Sequence, residues 1–245
     1  IIVDRVISGE YKFSDSEIQI ADNKIFLLLT TRFPKTKLGL DYDKIAATNL
    51  GMNCPIFLTT NTGEAMAIGS KEEFWQVRTQ LQARYKRLQE ALANARGGHG
   101  RTRKLKALEH LRDVERNFAK TYNHKLSKQL VMFCVNNGIG TIRTENLLGS
   151  AKTMNQPVIL RNWSYYELQS QIEYKAKMYN IVVEKVNPEN ITQKCNCCGK
   201  ISRAAVNFKD RTYVCDNREC AKFERPVNID ENASLNLLNT ELKKD

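Results

Sequence analysis

Lys44-Ile-Ala-Ala-Thr-Asn-Leu-Gly-Met-Asn-Cys-Pro-Ile-Phe-Leu-Thr-Thr60 is the stretch whose reading decides the fold. It starts as an apolar strand, kinks at Asn49-Leu50-Gly51 and resumes as a second apolar run. A turn at Asn61-Thr-Gly-Glu64 leads to a third run, Ala65-Met-Ala-Ile68. Strand, turn and return strand predict a meander that opens a sheet. Asn49, a polar residue at the end of the first strand, is the position on which the reading turns.

Working upstream, residues 1–33 alternate in Ile1–Ile7, Ser16–Ile20 and Lys24–Thr30, with turn signals at Ser8-Gly9 and Asp22-Asn23. That pattern predicts a β-meander, the end of a barrel, followed by a linker over 34–43 with Pro34. The chain opens at Ile1 in mid-pattern, so the reading expects more chain before it.

Downstream, Ser70 with Glu73 makes a capping box for a helix over Ser70–Ala95. Phe74, Val77, Leu81, Tyr85, Leu88 and Leu92 give its apolar stripe. Arg96-Gly-Gly-His-Gly-Arg101 breaks it, and a second long helix runs from about Thr102 to Asn136 on Leu105, Leu108, Leu111, Val114 and Phe118. Arg78, Arg84, Arg87, Arg96, Arg101, Arg103 and Lys104 crowd this pair and suit a surface that tracks a phosphate backbone. His99 in the hairpin is a phosphate contact in this reading, and His110 and His124 are packing residues. Thr141–Glu145 reads as a short strand ending in an acid, 147–162 as an irregular connection and Trp163–Tyr179 as a helix. Ile181–Val186 reads as a strand parallel to the last one. Trp163, Tyr165 and Tyr166 are read as core before stacking residues. A final helix spans about Ile229 to Leu242 and begins at an acid, Asp230.

The 245 residues carry 38 Lys and Arg against 27 Asp and Glu, a net charge of +11. Such an excess favours a polyanion. No apolar run is long enough for a membrane span and no signal peptide is evident, so nucleic acid is favoured over a membrane and the expected place is the cytoplasm, acting at the nucleoid. Without a secretory signal, the cysteines read as metal ligands rather than disulfides. Cys195-Asn-Cys-Cys198 and Cys215–Cys220, 16 residues apart, provide two thiolate pairs for a structural Zn²⁺ at Cys195, Cys198, Cys215 and Cys220. Cys197 is a competing ligand at this stage. Lys194 and Arg211 flank the module and, with Tyr213, could grip a strand by charge and stacking.

Taken together, several segments resemble the miniature type V-F CRISPR effectors (the Cas-twelve-f group) and the TnpB-like proteins. The resemblance rests on Asp4–Tyr11, Ala95–Arg101, Leu111-Arg-Asp113, Asn123-His124, Gly140–Glu145, Asn162–Leu168, the cysteine module and Asn228–Ala233. It implies an α/β chain built on an RNase H-like (RuvC) mixed sheet with inserted long helices. The end of a wedge-type β-barrel precedes that sheet, and a small zinc-ribbon-like module interrupts it. The implied domains are 1–43 (wedge), 44–192 (RuvC-like, with the helical hairpin 70–137), 193–223 (target-nucleic-acid binding) and 224–245 (final RuvC segment). The implied partners are guide RNA and target DNA, with a homodimer on one guide.

In that family three acids hold catalytic Mg²⁺. The matching positions here are Asn49, Glu145 and Asp230, so the first acid is an amide. Gly39-Leu-Asp41 mimics the motif, but no turn and return strand follow it at the right distance. A unit charge ~4 Å from a cation contributes about 4 kcal/mol per unit of metal charge at an effective dielectric of ~20, and about 1.36 kcal/mol of barrier is tenfold in rate. The expectation is therefore a guided DNA-binding protein that is not an enzyme and does not bind Mg²⁺ productively. It would act on transcription, blocking RNA polymerase or recruiting it through a sigma factor. The competing readings are an active Mg²⁺-dependent guided endonuclease, with Asn49 tolerated or Asp41 or Asp43 recruited, and a DNA-binding module with no guide.

Overall fold

The computed structural model describes residues 2–21, 23–32, 38–51, 53–95, 97–147, 165–187 and 189–240. Arg96, Trp163, Pro34, Pro188 and all but the first residue of the 147–162 connection lie outside them.

The quoted stretch forms β5 (Asp41–Asn49) and β6 (Ile56–Thr60), with β7 (Ala65–Ile68) completing the meander. β8 (Ile139–Glu145) and β9 (Val182–Val186) add to the other edge, giving the order β7-β6-β5-β8-β9. β5 pairs antiparallel with β6 and parallel with β8, and β8 pairs parallel with β9. The helix between β8 and β9, α4 (Tyr165–Met178), is the crossover that parallel pairing requires. β5 starts at Asp41, inside the stretch read as linker. Gly140 explains how β8 comes so close to that start: a Cβ there would sit 2.8 Å from the Asp41 carbonyl oxygen.

Why β5 is central follows from its two alanines. Successive side chains point to opposite faces, and both Ala46 and Ala47 are fully buried. Ala46 joins the larger core with Ile56, Leu58, Ile142, Leu126, Leu130, Leu168 and Ile172. Ala47 joins a second core with Val186, Ala233 and Leu237. The sheet is thus covered on both faces. On one side lie α2 (Lys71–Ala93), α3 (Gly98–Asn136) and α4, and on the other α5 (Ile229–Leu238).

Ser70 caps α2 as its sequence predicts, its side chain accepting from the Glu73 N–H. Phe74 of α2 meets Phe118 and Tyr122 of α3 at centroid distances of 5.6 and 5.9 Å. Such pairs add about 0.5–1.5 kcal/mol each beyond their burial. α3 starts at Gly98, so the hairpin interrupts the helices for fewer residues than expected. Leu105, read as part of the stripe, is 42 % exposed.

The amino-terminal segment differs most from expectation. Residues Ile2–Ile7, read as a strand, form a helix, α1. The strands that follow are β1 (Lys12–Phe13) paired with β4 (Thr31–Arg32), and the hairpin β2 (Glu17–Ala21) with β3 (Lys24–Leu28). Two separate ribbons, not a barrel wall, stand there among the described residues. Arg5 explains why α1 closes on itself: it donates to the Tyr11 hydroxyl at 2.6 Å and pairs with Glu10. Alternation of apolar residues over so short a run does not separate strand from helix.

Candidate nuclease site and metal centre

Asn49 is the last residue of β5 and Glu145 the last of β8, its parallel neighbour. Asn49 lies two residues beyond Ala47, hence on the α5 face, and Glu145 lies two beyond Arg143. Arg143 reaches the end of α5, its guanidinium donating to the Leu238 carbonyl at 2.5 Å and to Thr240 at 3.1 Å. Asp230 stands in the first turn of α5, whose N-cap is Asn228, accepting from the Asp230 and Glu231 N–H groups at 2.8 and 3.2 Å. The three side chains therefore converge at the carboxyl ends of adjacent parallel strands, against a helix amino terminus. That is where open α/β sheets place ligands.

The convergence is direct. Asn49 Nδ2 donates to Asp230 Oδ1 at 3.1 Å, and the Leu50 N–H donates to Glu145 Oε1 at 2.9 Å. All three are at least nine-tenths buried. Burial pushes the Glu145 carboxyl up to about 7, the Leu50 N–H opposes that, and the Asp230 charge adds to it. Gln169 of α4 braces the strand end by donating to the Glu145 carbonyl at 2.6 Å. Gly51 keeps the floor open: a Cβ there would stand 3.1 Å from the Cys54 carbonyl and 3.3 Å from Asp230 Oδ1. Tyr165 packs against the larger core, and its hydroxyl is raised by burial and then by the charges of Glu145 and Asp230.

Arg211 is the member of this cluster that the sequence reading assigned elsewhere. Its Nη2 lies 2.6 Å from each Asp230 oxygen, so it is an ion-pair partner of the acid and not a free backbone contact. Arg211 adopts a left-handed backbone (φ 57°) just before β11, and its carbonyl accepts from the Ile229 N–H. No local pattern predicts this contact, because it depends on the cysteine module folding back onto α5.

Asp41 and Asp43 stand at the opposite end of β5. At ~3.3 Å per residue, Asp43 is about 20 Å along the strand from Asn49. Neither can replace an acid at the Asn49 end.

In the cysteine module, β10 (Val206–Asn207), β11 (Thr212–Val214) and β12 (Pro226–Asn228) make a small antiparallel sheet that runs straight into α5. Asn232 and Asn236 of α5 hold it by donating to the Lys194 carbonyl at 2.8 and 2.7 Å. The sulfurs of Cys195, Cys198, Cys215 and Cys220 lie within 4.8 Å of one another. The Cys195–Cys220 and Cys198–Cys215 pairs are each 3.8 Å apart. A tetrahedron of Zn–S bonds of ~2.3 Å has an edge of ~3.8 Å, so the donor set fits a four-sulfur metal site. The Lys200 N–H helps bring the Cys198 thiol down to about 6. Cys197 is exposed and outside the cluster, which removes it as a competing ligand. Tyr213, expected to stack on a strand, is 1 % exposed in the core of the module, and Phe208 is the exposed ring there, at 66 %.

Of the basic residues assigned to nucleic acid, Arg84, Arg87, Arg101, Arg103 and Lys194 are exposed. Lys104 is half-buried and donates to the Ala91 carbonyl at 2.9 Å, tying the helical hairpin together. Arg78 contradicts its assignment: it is 2 % exposed and ion-paired with Glu115 at 2.5 Å. The helical stripe puts it one position past Val77, on the flank that α3 covers. His124 packs against Tyr174 as expected, while His110 is exposed.

Comparison with known proteins adds what geometry cannot. Residues 165–237 match the family described as "Cas12f1-like, TNB domain". The chain is 34% identical over 242 residues to the CRISPR-associated endodeoxyribonuclease Cas12f1 of Sulfoacidibacillus thermotolerans, covering 96% of this chain and 55% of the relative. The chain resembles the miniature type V-F effectors along nearly its whole length. The Cas12f1 of Syntrophomonas palmitatica is 32% identical, with 97% of this chain and 54% of that protein covered. A cryo-EM structure of a Cas12f1–sgRNA–target DNA complex superimposes with a TM-score of 0.76 and 27% identity, over 99% of this chain and 48% of that one. The chain spans about half the length of the curated relatives it matches.

These relatives overturn one expectation. The chain was read as not an enzyme because Asn49 replaces an acid, yet the relatives are named endodeoxyribonucleases. The missing charge is one of three: Glu145 and Asp230 still stand at the strand ends, with Asn49 Nδ2 donating to Asp230 Oδ1 and the Leu50 N–H to Glu145. The transcriptional role rested on the same premise, and neither an RNA polymerase nor a sigma factor has support. No helix among the described residues is long and apolar enough to cross a membrane.

Proposed function

We propose that this chain is the nuclease-bearing part of an RNA-guided DNA endonuclease of the type V-F and TnpB-like kind, with guide RNA and target DNA as partners. The observation that carries the reading is the meeting of Asn49, Glu145 and Asp230 at the strand ends. The sheet is then a RuvC-like one, and 193–223 a zinc-ribbon-like module that presses Arg211 onto the site.

The donor set suits a hard divalent cation: two buried carboxylates and an amide oxygen, with Glu145 held near neutrality until a cation compensates its charge. Glu145, Asp230 and the Asn49 Oδ1 would hold Mg²⁺, which supplies charge stabilisation for phosphodiester hydrolysis. Asn49 Nδ2 and Arg211 orient the Asp230 carboxylate, and the Leu50 N–H orients Glu145. The four-cysteine cluster would hold structural Zn²⁺, fixing the hairpin that carries Arg211. The exposed basic residues of α2 and α3 give the nucleic acid its sequence-independent grip, while base pairing to the guide reads sequence.

The test uses the intact protein with its RNA on a matched duplex in Mg²⁺. Guide-dependent cutting that is lost in Glu145→Gln supports the reading. Duplex that is bound but uncut in both Mg²⁺ and Mn²⁺ overturns it.

A further inference from the structure

Lys175 carries a charge that its own neighbours do not answer. It lies in α4, half-buried against α3, and its ammonium has three N–H donors. Two of them go to neutral oxygens of α3, the His124 carbonyl at 2.7 Å and the Ser127 hydroxyl at 2.6 Å. Burial holds the Lys175 pKa below its ordinary value, and the Lys128 charge adds to that. The acids of α4 are engaged elsewhere: Glu173 pairs with Lys185 of β9 at 2.8 Å, and Glu167 accepts from Gln171 at 3.2 Å. A half-buried cation beside a second cation is stabilised by an anion.

The same two lysines border a cavity of about 290 Å³ between α3 and α4. Val131, Met132 and Met178 make its floor, and Tyr174 stands at the rim, 46 % exposed. The Tyr174 hydroxyl meets His124 Nδ1 at 3.2 Å, which fixes where the ring stands. No carboxylate among the described residues lines the cavity, and Lys128 is exposed at its edge, so the wall is positive. Apolar groups, adaptable thioethers, an accessible ring and two ammonium groups complement a flat, apolar group with negative charge beside it. A nucleobase with its phosphate has that form: bases stack on aromatic rings, and lysine meets phosphate as a point charge. A paired base is enclosed by its duplex neighbours, so the occupant is an unpaired nucleotide.

We infer that the cavity between α3 and α4 binds one unpaired nucleotide, with its base over Tyr174 and the methionines and its phosphate against Lys128 and Lys175. The ligand chemistry is a nucleoside phosphate, free or within a single strand. The site rests on the nucleic-acid-binding part of the proposed function. Its test needs no guide, cation or cleavage, so its failure and the failure of the strand-end site are told apart.

The experiment uses the intact protein freed of nucleic acid, at low salt, with a pentauridylate that carries 5-iodouridine at its centre. Irradiation below saturation, followed by peptide mass spectrometry, reads which side chains the base touches. The expected result is a cross-link at Tyr174, Met132 or Met178. Its yield should fall roughly tenfold in Lys128→Gln, the scale of losing one charge-assisted bond, because that residue is exposed and its loss leaves the ring and the floor in place. Competitors identify the source. UMP that displaces the cross-link identifies a free nucleotide, and displacement by unlabelled pentauridylate but not by UMP identifies a strand. Cross-links confined to other residues overturn the inference, as does a Lys128→Gln yield equal to the parent's or a cross-link that neither competitor displaces. An abasic oligomer or an acidic peptide that competes as well as pentauridylate also overturns it, because the base then contributes nothing. Tyr174→Leu is the second variant: it keeps the lysines and an apolar rim but not the ring. Unchanged cross-linking at Met178 in a folded Tyr174→Leu protein overturns the stacking of the base on Tyr174.

Discussion

Asn49→Asp is the substitution that interrogates the site most directly. In the parent, the Asn49 amide donates to Asp230 Oδ1 at 3.1 Å. The aspartate removes that donor and sets a second carboxylate against the first. Two like charges ~4 Å apart at an effective dielectric of ~20 repel by about 4 kcal/mol. Arg211, 2.6 Å from both Asp230 oxygens, absorbs part of this, so about half is a reasonable net cost. A domain of this size loses ~2–4 °C of Tm per kcal/mol, which gives a fall of ~4–8 °C in EDTA. A divalent cation reverses the sign, because the new charge attracts it. The midpoint of a Mg²⁺ titration, read by thermal shift, should fall at least about tenfold, equivalent to ~1.4 kcal/mol. Cleavage by the guided complex should rise in parallel. An EDTA melting temperature equal to the parent's, together with an unchanged Mg²⁺ midpoint, would refute the claim that Asn49 faces Asp230 across a cation site.

Glu145→Gln tests the buried carboxyl by pH. Glu145 keeps its proton to about 7 when folded and loses it near 4.5 when unfolded. Between those values the unfolded chain binds fewer protons, so stability of the metal-free protein falls as pH rises, by roughly 3 kcal/mol in all. The glutamine variant should lose that slope in EDTA melts from pH 5 to 8 and also lose cleavage; a retained slope would sink the assignment. Cys198→Ser should release zinc, measured by elemental analysis, at a cost of several kcal/mol on the order of a structural site, whereas Cys197→Ser should retain it. Equal loss from both would disprove the four-ligand set. Arg143→Met should cost about 3 kcal/mol, since the residue is 8 % exposed, ion-paired to Glu184 and bonded to the last carbonyls of α5. Hydrogen exchange should show the loss in α5 first, and a uniform loss would argue against that role.

The sequence by itself determined the elements whose signal is local. The apolar run ending at Asn49 is a strand whose alternate residues fill a core on each face, and Ser70 caps α2 because its side chain needs only the Glu73 N–H three residues on, whereas the Glu73 carboxylate turns to Lys125 and the Ser70 N–H to Tyr122. The cysteine spacing marks two thiolate pairs for the same reason, since each short spacer brings two sulfurs together without help from the rest of the chain. Local signal failed at Ile2–Ile7, where alternation suited a strand and the segment closed as a helix on Arg5, Tyr11 and Glu10. Only the tertiary structure decided that Arg78 is inside and Arg211 sits on Asp230, since both depend on partners 37 and 19 residues away in sequence. It also decided that Cys197 stands aside and Tyr213 fills a core. A residue's type and spacing say what it can bond; which bond it makes depends on what the fold brings within about 3 Å.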